Sequence, residues 1–384
     1  MTVVACIKVS DKPTIISDMM LSRNSKNSNS SNLKSFFPVF NSNIENKVKE
    51  MGIEFTSGRK IYKISDYFVI GWAGDYENAK KTITELKSQN FNRYISREEL
   101  TTFFEKLNLI GKSERRIAIT GWFHEKQKIT SFCWYSHNFK PLSFDEKFYC
   151  IGSGSQGMVD ALKTKAKIEV ANVKVSNEEI FDAKLMGFLG ALYLRTLTDP
   201  STFKNRYGYG FEVCTLKNNK FSFMNNLEMF LIGAKESGKN TFDIDGVDEF
   251  VRMFYYKDHP FFMNVTGLPI RSLIAGEKEI HSDINITITG IERFDIPRPK
   301  VNLNEILNEM KSEKFFRLYM GNISLPDFKV PCPFQAGTHF ESDIPFSYIF
   351  QDDGIELIYN KELMIDVVYK SMRKAVDTFR SEVI

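Results

Sequence analysis

No stretch of the 384-residue chain approaches the ~18 consecutive apolar residues that span a bilayer, and its first residues lack the charged and apolar regions of a secretory leader. A soluble, cytoplasmic protein with no membrane partner is therefore expected. Cysteine is scarce: Cys6, Cys133, Cys150, Cys214 and Cys332 form no CxxC pair and sit mostly in apolar runs, as reduced core thiols do. The five histidines, at 124, 137, 259, 281 and 339, show no H-E-x-x-H or similar spacing, so no metal is expected. No cofactor is expected either. Charge of one sign is also missing: 51 Lys and Arg face 48 Asp and Glu, a net charge of +3 that gives no basic surface for nucleic acid. One segment imitates a phosphate loop, Gly233-Ala234-Lys235-Glu236-Ser237-Gly238-Lys239-Asn240. It ends in Asn240 where a Ser or Thr would ligate magnesium, and no amphipathic helix clearly follows, which argues against nucleotide binding.

What the chain does have is apolar bulk. Hydrophobic residues make up 42% and phenylalanine alone 34 positions, enough to fill one large core or two. The run Thr2-Val3-Val4-Ala5-Cys6-Ile7-Lys8-Val9 has the small and β-branched residues of a buried strand. Only Met1 precedes it, and a methionine followed by so small a residue is a usual target of co-translational removal. The mature chain is then expected to begin at Thr2, with a hydroxyl nucleophile and an α-amine on one residue. That amine titrates near ~7.7–8.0, close to working pH, and can take the hydroxyl proton directly or through one water.

Sixteen residues after Thr2 comes Asp18, at the end of a second strand. A hairpin turning at Asp11-Lys12-Pro13 would return it beside Thr2. Arg59-Lys60-Ile61-Tyr62-Lys63-Ile64 opens another strand, which leads to Val69-Ile70-Gly71-Trp72-Ala73-Gly74-Asp75 and a helix. Further on stand Ile151-Gly152-Ser153-Gly154-Ser155 and Tyr207-Gly208-Tyr209-Gly210-Phe211. As an ordered set, over about residues 2–230, these pieces resemble the proteasome β-subunits and the bacterial proteasome-like peptidase that works with a AAA+ unfoldase. The resemblance implies an α+β fold, the four-layer αββα sandwich of N-terminal nucleophile hydrolases, with helices outside two antiparallel sheets. It implies a domain over 1–235 and leaves 236–384 as a mixed α/β extension of open role.

The resemblance also assigns roles. Thr2 attacks a carbonyl, Lys60 assists the proton transfers as a nearby cation, and Asp18 keeps Lys60 charged and aligned. Gly74 offers its backbone N–H to the oxyanion, Ser153 is the supporting serine, and Trp72 and Met20 fall where the first specificity pocket and cleft lie. The residues alone leave other readings open: an ordinary ion pair for Asp18 and Lys60, a turn glycine for Gly74, a core tryptophan for Trp72. Lys63 lies an odd number of positions along the strand from Lys60 and faces the other way.

Three departures stand out. Met20 replaces a basic residue of the family, and about residues 19–58 form an insertion, polar over 24–32, expected to act as a lid or subunit contact. Asn205 and Gly208 stand where the family has a helper aspartate and serine. The expected function is a threonine-type peptidase acting on peptide or protein, self-associating as its relatives do, with an unfoldase as a candidate partner. The alternatives are a catalytically silent interaction protein of the same architecture and, less favoured, hydrolysis of a non-peptide amide.

Elsewhere, Ser96-Arg97-Glu98-Glu99 and Ser176-Asn177-Glu178-Glu179 are capping boxes that start helices running to about Leu109 and Leu197. The extension is read as an alternating strand over 284–289, a linker at Ile296-Pro297-Arg298-Pro299, a helix over 302–314, a hairpin over 347–359 and a basic helix over 361–379.

Overall fold

The computed structural model describes residues 2–24, 53–89, 91, 94–110, 117–126, 128–136, 141–145, 148–165, 177–198, 210–225, 227–239, 241–266, 280–281, 285–302, 305–306, 316–329, 331–338, 346–351, 354–359 and 361–383. The chain is mixed α and β with mostly antiparallel sheets, and it divides into two compact units. The first holds 1–184, 195–224 and 291–298; the second holds 185–194, 225–290 and 299–384. The division thus falls before residue 235. A short segment, Ile291–Arg298, belongs to the first unit although it lies deep in the predicted extension.

In the first unit, β1 (Val4–Val9) and β2 (Lys12–Asp18) sit at the centre of a six-stranded sheet with β9 (Leu142–Asp145), β10 (Phe148–Ile151), β11 (Phe211–Lys217) and β12 (Lys220–Phe223). A four-stranded sheet runs in sequence order through β5 (Ile61–Ser65), β6 (Phe68–Gly74), β7 (Ile117–Glu125) and β8 (Lys128–Tyr135). The inserted segment contributes a hairpin of its own, β3 (Met20–Asn24) with β4 (Ile53–Ser57). Residues 25–52 of the insertion, with nearly all of its polar run, lie outside the described residues.

Alternation along β6 and β7 explains why the second sheet is covered on both faces. Val69, Ala73, Ala118 and Trp122 pack with Val4, Cys6 and Ile15 of the first sheet. Phe68, Ile70, Trp72, Ile117, Ile119 and Phe123 point the other way. There they meet Ala79, Ile83 and Leu86 of α1 (Tyr76–Ser88) and Leu100, Phe104 and Leu107 of α2 (Arg97–Ile110). The indole N–H of Trp122 donates to the Thr14 carbonyl at 3.0 Å, tying one sheet to the other. The capping box of α2 is reciprocal: the Ser96 amide donates to Glu99 at 2.8 Å and the Glu99 amide to the Ser96 hydroxyl at 3.1 Å. Two more helices follow, α3 (Ser155–Lys165) and α4 (Asn177–Thr198), the second starting where its box predicts.

The second unit is built on a six-stranded sheet. Its strands are β13 (Leu227–Gly238), β14 (Thr241–Tyr256), β15 (His259–Thr266), β17 (Asn285–Gly290), β18 (Phe316–Ser324) and β19 (Cys332–Thr338). Its core gathers Phe230, Phe250, Phe254, Phe261, Tyr319 and Phe334, against which Val368, Met372 and Val376 of the C-terminal helix pack. A shorter sheet joins β16 (Ile280–His281) to the hairpin β20 (Phe346–Gln351) and β21 (Gly354–Tyr359). Glu228 is wholly buried between two arginines, with Arg317 Nε at 2.7 Å and Arg252 NH1 at 3.5 Å. The phosphate-loop imitation is resolved here: residues 233–238 are extended strand paired with β14, and 233–235 with β18 as well, so their backbone does not form an anion cradle. Of the helix predicted over 302–314, residue 302 is described and not helical and residues 305 and 306 are helical; 303–304 and 307–314 lie outside the described residues.

Candidate active site

The site begins with a hairpin. Ser10 and Asp11 have φ of 44° and 64°, the paired positive values of a two-residue turn whose twist matches that of the strands it joins. The turn therefore lies one residue before the Asp11-Lys12-Pro13 expected from sequence, and Lys12 and Pro13 are already in β2. The register runs from Val9 opposite Lys12 to Val4 opposite Ser17, so Asp18 comes to rest across from Val3. Its amide donates to the Val3 carbonyl at 3.2 Å. On the other side Asp18 pairs with Phe211 of β11, and the Met19 amide donates to the Gly210 carbonyl at 3.0 Å.

One carboxylate oxygen organises everything near this end. Asp18 Oδ1 accepts from the Thr2 hydroxyl at 2.8 Å, from the Val3 amide at 2.8 Å and from Lys60 Nζ at 2.7 Å. Oδ2 accepts from the Met20 amide at 3.2 Å. Lys60 also donates to the Met20 carbonyl. Lys60 arrives from the other sheet, just before β5, where its carbonyl is held by the Trp72 amide at 3.2 Å. Exposure is 2% for Thr2 and 0% for Asp18 and Lys60, so the pair meets in a low-dielectric interior. Burial lowers the Lys60 pKa to about 8, against the opposing pull of the Asp18 charge.

The glycine turn after β10 supports Thr2 from behind. Gly154 donates its amide to the Thr2 carbonyl at 3.3 Å. Gly152 has φ of +100°, and a Cβ there would stand 1.9 Å from that same carbonyl oxygen. The position needs glycine on both counts. The Ser155 hydroxyl donates to the Gly152 carbonyl at 2.6 Å as α3 begins. Ser153 itself, between the two glycines, is exposed.

The other predicted positions divide. Gly74 ends β6 with φ of +118°, partly exposed, followed at once by Asp75, which caps α1 by accepting from the Asn78 amide at 2.9 Å. Trp72 is 1% exposed and lies in the helix-facing core, edge-on to Tyr76 at 6.1 Å, a core placement. Met20 is buried, and it is its backbone that touches the site, through both its amide and its carbonyl. Asn205 and Gly208 lie outside the described residues. Lys63 is exposed and paired with Asp66 at 2.8 Å.

Sequence reasoning passed over a second buried pair beside the first. Arg59 Nε lies 2.8 Å from Glu212 Oε1, with exposures of 3% and 0%, and its guanidinium stacks 3.9 Å above the Phe223 ring. The signal was there: a lone glutamate in the apolar run Phe211-Glu212-Val213-Cys214 requires a cation to accompany it inward. Among the described residues no group of three or more His, Cys, Asp and Glu is arranged to hold a metal ion, and no helix is long and apolar enough to cross a membrane. No protein-family model matches the chain, and no characterised protein matches its sequence closely enough to count as a relative.

Proposed function

We propose that the chain is a threonine-type N-terminal nucleophile hydrolase that cleaves amide bonds in peptides or proteins, its first unit being the αββα sandwich of that class. The observation that carries the reading is the meeting of Thr2, Asp18 and Lys60, from two sheets, on one carboxylate oxygen. Processing that leaves Thr2 at the N-terminus turns an amide nitrogen into a free amine.

In the proposed cycle the α-amine takes the proton from Oγ1 as that oxygen bonds to the substrate carbonyl carbon. Lys60 and Asp18 stabilise the charge that moves through this network. The Gly74 amide donates to the oxyanion, a contribution of ~2.7–4 kcal/mol where single donors of this kind have been removed. The C–N bond breaks, the amine leaves with the proton, and an ester on Oγ1 remains for water to hydrolyse. A peptide or protein substrate and further copies of the chain are the partners this reading calls for; an unfoldase is a third.

A second reading, a silent interaction protein, draws support from the burial of Thr2 and from Asn205 and Gly208 at the helper positions. The test is a fluorogenic peptide panel run alongside the intact mass of the protein. Turnover that vanishes in Thr2→Ala supports hydrolysis of a peptide. Turnover of simple amides but not peptides would indicate a non-peptide substrate. A chain that keeps residues before Thr2 and turns over nothing supports the silent protein.

A further inference from the structure

Residues 291–298 lie far along the chain from the candidate site, yet they join the first unit and grip the backbone that leads into Lys60. Glu292 forms a parallel bridge with Gly58: the Arg59 amide donates to the Glu292 carbonyl at 2.9 Å, and the Glu292 amide to the Ser57 carbonyl at 3.2 Å. From the opposite side the Gly58 amide donates to the Met19 carbonyl at 2.8 Å. Residues 57–59 are therefore held on both edges, by the residue following Asp18 and by the returning segment.

Side chains extend the grip to β5 and α1. Phe294 stacks on Tyr62 with ring centroids 4.6 Å apart and planes at 23°, and meets the edge of Tyr76 at 5.7 Å. The Tyr76 hydroxyl donates to Glu292 Oε1 at 3.3 Å. Asp295 accepts a two-pronged bond from Arg293, at 2.8 and 2.6 Å, and another from Lys87 in the last turn of α1. Burial alone would raise the Asp295 carboxyl, but the bonds from Arg293 and Lys87 outweigh it and hold it well below the usual carboxylate range. The backbone bridge thus holds the short run between β4 and β5, the stacked rings hold Tyr62 just beyond it, and the charged clasp fastens the segment to α1.

We infer that segment 291–298 is a strap that positions Lys60 against Asp18 and Thr2, with Phe294 as its chief positioning residue. The domain carrying the site is then not complete at residue 235. Without the strap the Ser57 carbonyl and Arg59 amide lose their bonds to Glu292, and the run 57–60 is free to shift, which admits water around Lys60. For its kinetic consequence the inference rests on the hydrolase reading; for Lys60 itself it does not.

The experiment uses the full chain with Phe294→Ala, Phe294→Leu as a milder change and Phe294→Tyr as the conservative one. Lys63→Ala serves as a control on the exposed part of the same strand. Each is read by melting temperature, by peptide turnover and by the titration midpoint of the Lys60 ammonium in NMR. The strap predicts that Phe294→Ala, and to a smaller degree Phe294→Leu, lowers kcat at least tenfold with KM within a factor of two. It also predicts that the Lys60 midpoint rises by one pH unit or more, while Phe294→Tyr and Lys63→Ala match the parent. If the parent itself turns over nothing, a moved midpoint still supports the strap while counting against hydrolysis. An unmoved midpoint in a folded Phe294→Ala or Phe294→Leu protein overturns the strap whatever the turnover.

Discussion

Lys60 Nζ lies 2.7 Å from Asp18 Oδ1, and neither side chain is exposed to solvent. Desolvation makes such a pair costly to assemble and more costly to leave half-made, because removing one partner strands the other charge in the interior. Asp18→Asn is expected to destabilise the chain by ~3–5 kcal/mol. Chemical denaturation of the variant beside the parent measures this directly. A loss below about 1 kcal/mol would assign the pair the small worth of an exposed bridge instead.

The lowered Lys60 pKa sets a pH dependence whose sign can be worked out. Between about 8 in the folded chain and 10.5 in the unfolded one, the unfolded state holds a proton that the folded state has released. Stability contributed through this group therefore rises with pH across that window and is flat below about 8, where both states are protonated. Urea unfolding of the parent and of Lys60→Met, compared from pH 7 to 10.5, isolates the contribution. The parent curve should climb relative to the variant curve above pH 8. A parent that falls relative to the variant there would mean that Lys60 keeps its proton.

Gly152 carries a prediction of its own. An alanine would have to keep φ of +100° and place its Cβ within 1.9 Å of the Thr2 carbonyl oxygen. The strain costs ~1–3 kcal/mol and is relieved only by moving Thr2. Gly152→Ala is thus expected to lose at least a hundredfold in peptide turnover while remaining folded, as judged by circular dichroism and melting. Full turnover would show that the turn does not fix the nucleophile.

Glu228 offers a contrast in the second unit. Glu228→Gln would leave Arg252 and Arg317 without the carboxylate they share, at an expected ~3–5 kcal/mol. Because Glu228 belongs to the second unit and Thr2 to the first, the turnover of the protein that stays folded should be unchanged. Measuring melting temperature and turnover on one preparation tests both halves of the statement.

Local signals in the sequence were readable wherever the structure is local. The capping box at Ser96 and Glu99, the hairpin joining Thr2's strand to Asp18's, and the step from β6 into α1 at Asp75 all follow from spacing alone. The return of Asp18 toward Thr2 follows from the hairpin, whereas the arrival of Lys60 beside them was implied by the resemblance and not by spacing. What escaped notice was non-local. The long β13–β14 hairpin contains the segment that imitates a phosphate loop, and its alternation of polar and apolar residues is too weak to mark a strand. Its parallel partner β18 lies far downstream, and nothing in either strand names the other. The strap overlaps the proline-marked linker only at 296–298; residues 291–295 carry no sequence signal, since a backbone bridge such as Gly58 to Glu292 leaves no side-chain signature.

The central claim is that Thr2, freed at its nitrogen, is the nucleophile. Its most direct test is mass spectrometry of the purified protein after exposure to an electrophile that reacts with a hydroxyl and an adjacent amine together. The account predicts a single adduct on an N-terminal peptide beginning at Thr2, lost in Thr2→Ala along with all turnover. An adduct elsewhere, or turnover undiminished in Thr2→Ala, would contradict it.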